Sequence, residues 1–161
     1  MAARRSRGTW SGGPCAAAIL LALGTLRISS AADQDPTLVR EQQSLQAVCG
    51  KCHSLQVVMD TPMGYDNWHD TVQKMIDQGA QGSDEQFDDI MDYLHRTMTT
   101  IDVNAADAGE LEIVLNVPAR VAKAVIARRT RRKFADLADL KSVPGIDGPS
   151  LDGKARLIFF Q

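Results

Sequence analysis

The chain has 161 residues, of which 44% are hydrophobic and 5% aromatic, and its formal net charge is −2. This length allows one ordinary domain or two very small ones. Beyond residue 32 the only cysteines are Cys49 and Cys52, three positions apart. The spacing excludes the disulfide framework that stabilises many small secreted proteins.

The first 32 residues have the layout of a secretory signal peptide. A twelve-residue apolar run at 15–26 follows a basic start, and small residues at 30–32 suit cleavage before Asp33. Twelve apolar residues are too few for a membrane span, which needs roughly 20. The segment therefore predicts export to the periplasm or the medium, with no membrane span after cleavage. An uncleaved interfacial anchor is the alternative.

The charges are unevenly distributed along the remaining chain. Residues 33–100 carry 4 basic and 12 acidic side chains, whereas residues 101–161 carry 10 basic and 8 acidic ones. This change favours two modules with different partners, divided near residue 100. Each module is so small that a plain hydrophobic core is marginal, and in the first module we expect something else to fill the centre.

The apolar spacing predicts helices throughout the first module. A helix over 37–47 leads directly into the cysteines, a second carries Trp68, Val72 and Met75, and Gly79 ends it. A third begins at Ser83, where Ser83 and Gln86 form a capping box.

The second module also reads as helical, and the expected fold class is all-α. Asn104 is expected to cap a helix through Leu115, and a second helix spans 119–129. A short third helix lies near 134–140, a tight turn follows at 143–148, and the last helix covers 151–159.

The segment Cys49-Gly50-Lys51-Cys52-His53 is the strongest functional pattern in the sequence. Two thiols three residues apart can each add to one vinyl group of haem, and the next histidine then reaches the iron. Two alternatives remain: a dithiol redox pair, which prefers a βαβ context, and half of a zinc site, for which only His69 and His95 remain as further ligands. His95 is expected to lie on the surface.

Residues 38–98 resemble the class I c-type cytochromes, in particular a short bacterial type. The resemblance rests on the helix into the cysteine motif, a methionine-bearing middle segment and a final helix with Tyr93-Leu94. It implies one covalent haem c held by Cys49, Cys52 and His53, one-electron transfer to a redox protein partner, and no enzyme activity.

The sixth iron ligand is less defined by the sequence. Met75 lies shortly before the last helix of the module, where the resemblance places the ligand. Met59, Met63 and His69 are alternatives, and an open iron would favour a haem enzyme. A methionine ligand raises the reduction potential relative to a second imidazole.

Residues 101–161 are similar to the helix-hairpin-helix domain of competence-type DNA receptors. The similarity covers the segment from Val103-Asn104-Ala105 to Val143-Pro144-Gly145-Ile146 and implies two tandem hairpins. In that family a Gly-hydrophobic-Gly turn holds a DNA phosphate through backbone N–H groups. The first turn here, 116–120, lacks glycine, and the second has Asp147 in place of the last glycine.

The basic cluster 128–133 is the best sequence argument for an anionic partner. A solvated helix end is the alternative, because cations also favour the C-terminal end of a helix dipole. The sequence thus yields two hypotheses. The first is an electron carrier with a docking module, and the second is a DNA-binding or DNA-uptake accessory protein carrying a redox-sensing haem.

Overall fold

A computed structural model describes residues 35–161, and the predicted signal segment 1–32 lies outside them. The first half of this region contains four α-helices. They are α1 (Pro36–Val48), α2 (Gln56–Met59), α3 (Tyr65–Asp77) and α4 (Asp84–Thr97). A 3-10 turn at Cys49–Lys51 continues α1 without a break.

The second half contains four more helices and two very short strands. The helices are α5 (Ala108–Leu115), α6 (Ala119–Arg129), α7 (Leu137–Lys141) and α8 (Gly148–Gly153). The strands, β1 (Ile101–Asp102) and β2 (Ile158–Phe159), pair in parallel. The described region is therefore mostly helical, as the apolar spacing predicts. Within residues 35–161 no helix is long and apolar enough to span a bilayer.

Buried hydrophobic side chains form two clusters. The first joins α1, α3 and α4, and its buried members are Leu45, Val48, Trp68, Ile90, Tyr93, Leu94 and Met98. The second joins α5, α6, α7, α8 and the strands around Leu111, Val125, Phe134 and Leu140.

Polar groups also join α1 to α4 beside their apolar contact. The Asp89 carboxylate accepts hydrogen bonds from Ser44 Oγ at 2.9 Å and Arg40 Nε at 3.0 Å. The hydrogen bond from Arg40 is the main cause that lowers the pKa of Asp89, and the bond from Ser44 adds to it. Arg96 pairs with the fully buried Glu41. Burial is the main cause that raises the pKa of Glu41, and the Arg96 guanidinium opposes this rise, so removing Arg96 would leave a costly buried carboxyl between the two helices.

The start of α5 differs from the sequence prediction. The cap of this helix is Asp107, three residues after Asn104. Asp107 and Glu110 form a reciprocal capping box, in which each side chain bonds to the backbone N–H of the other residue. The Asn104 side chain instead donates to Phe134 O at 2.9 Å and accepts from Phe134 N at 2.8 Å.

The end of the chain also differs from the prediction. The helix expected over 151–159 is wrong, since α8 ends at Gly153 and a 3-10 turn, Ala155–Leu157, leads into β2. Ile158 is buried where the strand pairs with β1, so tertiary pairing outweighs the local helical pattern.

Candidate functional site

The cysteine motif lies where α1 passes into its 3-10 turn. Val48 is buried against α4 and holds this point of the chain, while Cys49 is half-buried and Cys52 exposed. Cys52 N donates to Cys49 O at 3.4 Å, which gives the two thiols the turn geometry expected from their spacing.

One ring nitrogen of His53 forms a hydrogen bond, and the other is free to bind a ligand. Its Nδ1 lies 3.1 Å from the carbonyl oxygen of Ser54, a distance at which Nδ1–H donates to the carbonyl. The Nε2 atom then has a free lone pair. Metal-binding histidines usually have this arrangement, in which the second nitrogen fixes the ring and its tautomer.

A largely apolar cavity of about 370 Å³ opens beside the motif. Its walls are formed by residues from α1 to α4, including Leu45, Cys49, His53, Val57, Val58, Met63, Trp68, Val72, Met75 and Leu94. A smaller cavity of about 120 Å³ shares Cys49, His53 and Met75 with it and adds Cys52. The larger volume falls within the ~300–1,000 Å³ of typical ligand and cofactor sites. We refer to the two together as the motif cavity.

The donor set and the walls of the motif cavity fit a covalently attached haem. Val57, on α2, is 62% exposed although it lines the cavity, so an apolar occupant would cover it. An open apolar cavity leaves its lining exposed to water, which a flat apolar cofactor would displace. Two thiols and an imidazole stand at one edge, as attachment requires.

The candidate sixth ligands occupy different positions. Met75, from α3, and Met63, just before it, both line the motif cavity with His53, whereas Met59 packs against the first cluster without lining it. Thr71 Oγ donates to Met63 Sδ at 3.5 Å, a contact that the sequence did not predict. His69 instead lies against His95, with ring centroids 5.4 Å apart.

The structure gives little support to the two other interpretations of the cysteine motif. Burial is the main cause that raises the pKa of Cys49, whereas a nucleophilic dithiol needs a lowered thiol pKa. Within residues 35–161, no three His, Cys, Asp or Glu side chains are placed to hold a metal ion.

The two hairpin turns of the second half share one backbone feature. Asn116 ends α5 with φ 54°, and Gly145 has φ 93° in the turn before α8. Asparagine is among the few residues that adopt this left-handed conformation readily, so Asn116 replaces a glycine here without loss of the turn.

The third position of each turn is poorly suited to a phosphate. Pro118 precedes α6 and has no backbone N–H, while the exposed Asp147 precedes α8 with a carboxylate. The first turn also lines a cavity with Asp92, Glu112 and the paired Glu41 and Arg96. The first turn therefore lacks a donor at this position, and at the second turn the Asp147 carboxylate repels a phosphate.

Most of the basic cluster is engaged inside the fold. Arg128 and Arg132 both pair with Asp139, and Arg128 also lies 4.9 Å from the centre of the Phe134 ring. Arg129 donates to Val103 O at 2.7 Å and Lys133 to Gln161 O at 3.0 Å. The cluster thus connects α6 to α7 and to the chain end. The sequence indicated an anionic partner or a solvated helix end, and predicted neither of these connections.

The prediction that His95 lies on the surface is wrong. His95 is 4% exposed and stacks on Tyr65 with ring centroids 4.0 Å apart, and Tyr65 in turn packs against the second cluster. Burial is the main cause that lowers the pKa of His95, and the nearby His69 adds to it. The periodicity of α4 alone did not reveal this contact, because it depends on α3.

Comparison with known families supports one half of the sequence interpretation. A family model described as the helix-hairpin-helix motif matches residues 97–155, and no cytochrome c family model matches the chain. Neither the curated proteins nor the solved structures contain a match. The helix-hairpin-helix resemblance is thereby confirmed for that segment, and the cytochrome resemblance of residues 38–98 stays a prediction.

The burial of His95 predicts a loss of stability in mild acid. An unfolded histidine has a pKa near 6.5, so above this pH both states are neutral and the stability is complete. Below it the unfolded chain takes up a proton that buried His95 resists, which costs at most about 1.4 kcal/mol per pH unit. Urea unfolding from pH 7 to 5 should show a smaller loss for His95→Phe, which keeps the ring stack on Tyr65.

His69→Phe serves as the matched control, since His69 is an exposed neighbour. Its pH dependence should be slightly weaker than that of wild type, because His69 adds to the lowering of the His95 pKa, but clearly stronger than that of His95→Phe. Equal slopes for His95→Phe and wild type would show that His95 does not cause the loss.

Proposed function

We propose that the chain is an exported mono-haem c-type cytochrome, a one-electron carrier and not an enzyme, whose helix-hairpin-helix segment serves as a docking module. The observation that carries the proposal is the motif cavity, where Cys49, Cys52 and His53 stand at the edge of an open apolar space. The redox partner of such a carrier would be another protein, such as a dehydrogenase, an oxidase or another cytochrome.

The chain's own residues supply attachment, orientation and exclusion of water. Cys49 and Cys52 would hold one edge of the haem by thioether bonds, and His53, oriented by Ser54 O, would present Nε2 to the iron. Haem contributes reversible one-electron chemistry when bound. Trp68 and Leu94, both buried, would keep the far side of the cavity dry.

Met75 is our proposed sixth ligand, with Met63 as the alternative. Both line the cavity, but Met63 Sδ already accepts from Thr71. A sulfur that receives a hydrogen bond has one lone pair occupied, and the sulfur of Met75 has no such donor within residues 35–161.

Covalent haem is the first prediction of this proposal. Protein made in a strain with cytochrome maturation should show a c-type pyridine haemochrome spectrum and the mass of one added haem after removal of residues 1–32. The variant Cys49→Ser/Cys52→Ser should lose the covalent haem. A wild-type mass equal to that of the polypeptide alone would refute the proposal.

The two methionines can be separated by substitution. Met75→Ala should convert a low-spin spectrum to a high-spin one and lower the reduction potential, because the thioether favours ferrous iron. Met63→Ala, a matched change in the same cavity, should remain low-spin. The reverse result would assign the ligand role to Met63.

DNA binding is the second candidate function, and the helix-hairpin-helix match at 97–155 favours it. In this case the protein would be a DNA-binding or DNA-uptake accessory carrying a redox-sensing haem. Pro118, Asp147 and the internally paired arginines oppose a hairpin contact to phosphate, so we place this function second.

Salt dependence distinguishes the candidates. Because counterion release dominates DNA binding, a true DNA complex should strengthen steeply as salt falls. We expect no retardation of duplex or single-stranded DNA at low ionic strength, and none for Asp147→Gly, which restores the family turn. Retardation by wild type that strengthens in Asp147→Gly would establish the second candidate.

A further inference from the structure

An exposed basic face on α6 has no role in the sites described above. Arg120 and Lys123 lie on α6, and Arg131 lies just beyond its end, all three exposed. Thr130 and Arg132 still donate their backbone N–H to carbonyls four residues earlier, so the helical rise continues past Arg131. Within residues 35–161, no carboxylate forms an ion pair with these three cations. We call them the basic stripe.

A groove of about 300 Å³ runs beside the basic stripe. Ala124 and Ala127 form one wall and Val143 and Pro144 the other. The small alanines would let another helix approach closely. A partner on this face would therefore meet cations along an edge and a shallow apolar floor.

The chain itself carries a surface of complementary charge. Asp84, Asp88 and Asp92 repeat every four residues along α4 and are all exposed. No cation within the described residues pairs with any of them. We call these three residues the acidic stripe.

The spacing of the two stripes also agrees. Asp84 to Asp92 and Lys123 to Arg131 each cover eight residues, or about 12 Å at the helical rise of ~1.5 Å per residue. In an antiparallel or parallel contact both outer charges of the acidic stripe would meet a cation, with Asp88 facing Ala127.

We propose that the basic stripe of one copy docks on the acidic stripe of a second copy, so that the chain self-associates head to tail. The two surfaces differ, so the contact is heterologous and gives a ring where the rotation closes or an open chain where it does not. Complementary charges steer such encounters and set their register. The proposal extends the docking role by naming a second copy as the partner, and it depends on the folded chain and not on the haem.

Sedimentation equilibrium of the exported, purified protein tests the proposal. The weight-average mass should rise with protein concentration at 0.01 M salt and fall back toward the monomer at 0.15 M, as the Debye length shortens from ~30 to ~8 Å. The charge reversals Lys123→Glu/Arg131→Glu and Asp88→Lys/Asp92→Lys should each remain monomeric at low salt. Lys74→Glu, a charge reversal of an exposed cation on α3 that belongs to neither stripe, should behave as wild type.

Mixing the two reversed variants gives the decisive result. Each keeps one intact stripe and the two reversed stripes are complementary to each other, so an equimolar mixture should associate at low salt, although neither variant associates alone. A monomeric wild type at low salt would overturn the proposal. Reversed variants that associate as strongly as wild type at low salt would also overturn it. The same holds if the basic stripe binds DNA while the wild-type protein does not self-associate. A protein without haem that still self-associates would refute the cytochrome and leave this proposal standing.

Discussion

One short backbone segment, 98–103, joins the two clusters of buried residues. Met98 O accepts from Trp68 Nε1 and from Met63 N, both at 3.3 Å, and Thr100 N donates to Met63 O at 2.9 Å. Residues 101–102 of the same segment form β1 and pair with β2 near the chain end. Since neighbouring peptide groups of one short segment bond to both sides, a shift of this segment would disturb the motif cavity and the hairpin fold together.

The two sides of the motif cavity are consequently held by different means. The packing of α1 on α4, with the Glu41–Arg96 pair, sets the side that carries Cys49 and His53. Bonds to the segment 98–103 set the side that carries Met63 and Trp68. The cavity walls thus rest on contacts made by the chain itself, and a haem would enter a largely preformed space, which reduces the ordering cost of binding.

Local patterns in the sequence predicted much of this structure. The capping box at Ser83, the stop at Gly79 and the helix over 119–129 are all confirmed, because each depends on residues close in sequence. The failures involve distant partners. Asn104 is bonded to Phe134 thirty residues away, and the last residues form a strand because β1 is available to pair with them.

The candidate site divides in the same way. The motif residues and Met75 were predictable from spacing and resemblance. Val57 and Thr71 also line the cavity, but their positions depend on the paths of α2 and α3. The sequence predicted a loop in place of α2 and did not give the direction of α3. The burial of His95 required knowledge of where Tyr65 lies. No local signal in the sequence contains these relations.

The hairpin segment keeps the backbone geometry of two turns, while side chains in those turns disfavour a contact with phosphate. The left-handed turns at Asn116 and Gly145 preserve the geometry, but Pro118 removes a donor and Asp147 adds a negative charge. The arginines that remain near the turns are largely bonded to Asp139 and to backbone carbonyls. The exposed outer face of α6 remains available to a partner. Its cations can attract an acidic surface there, without the backbone N–H geometry that a phosphate requires.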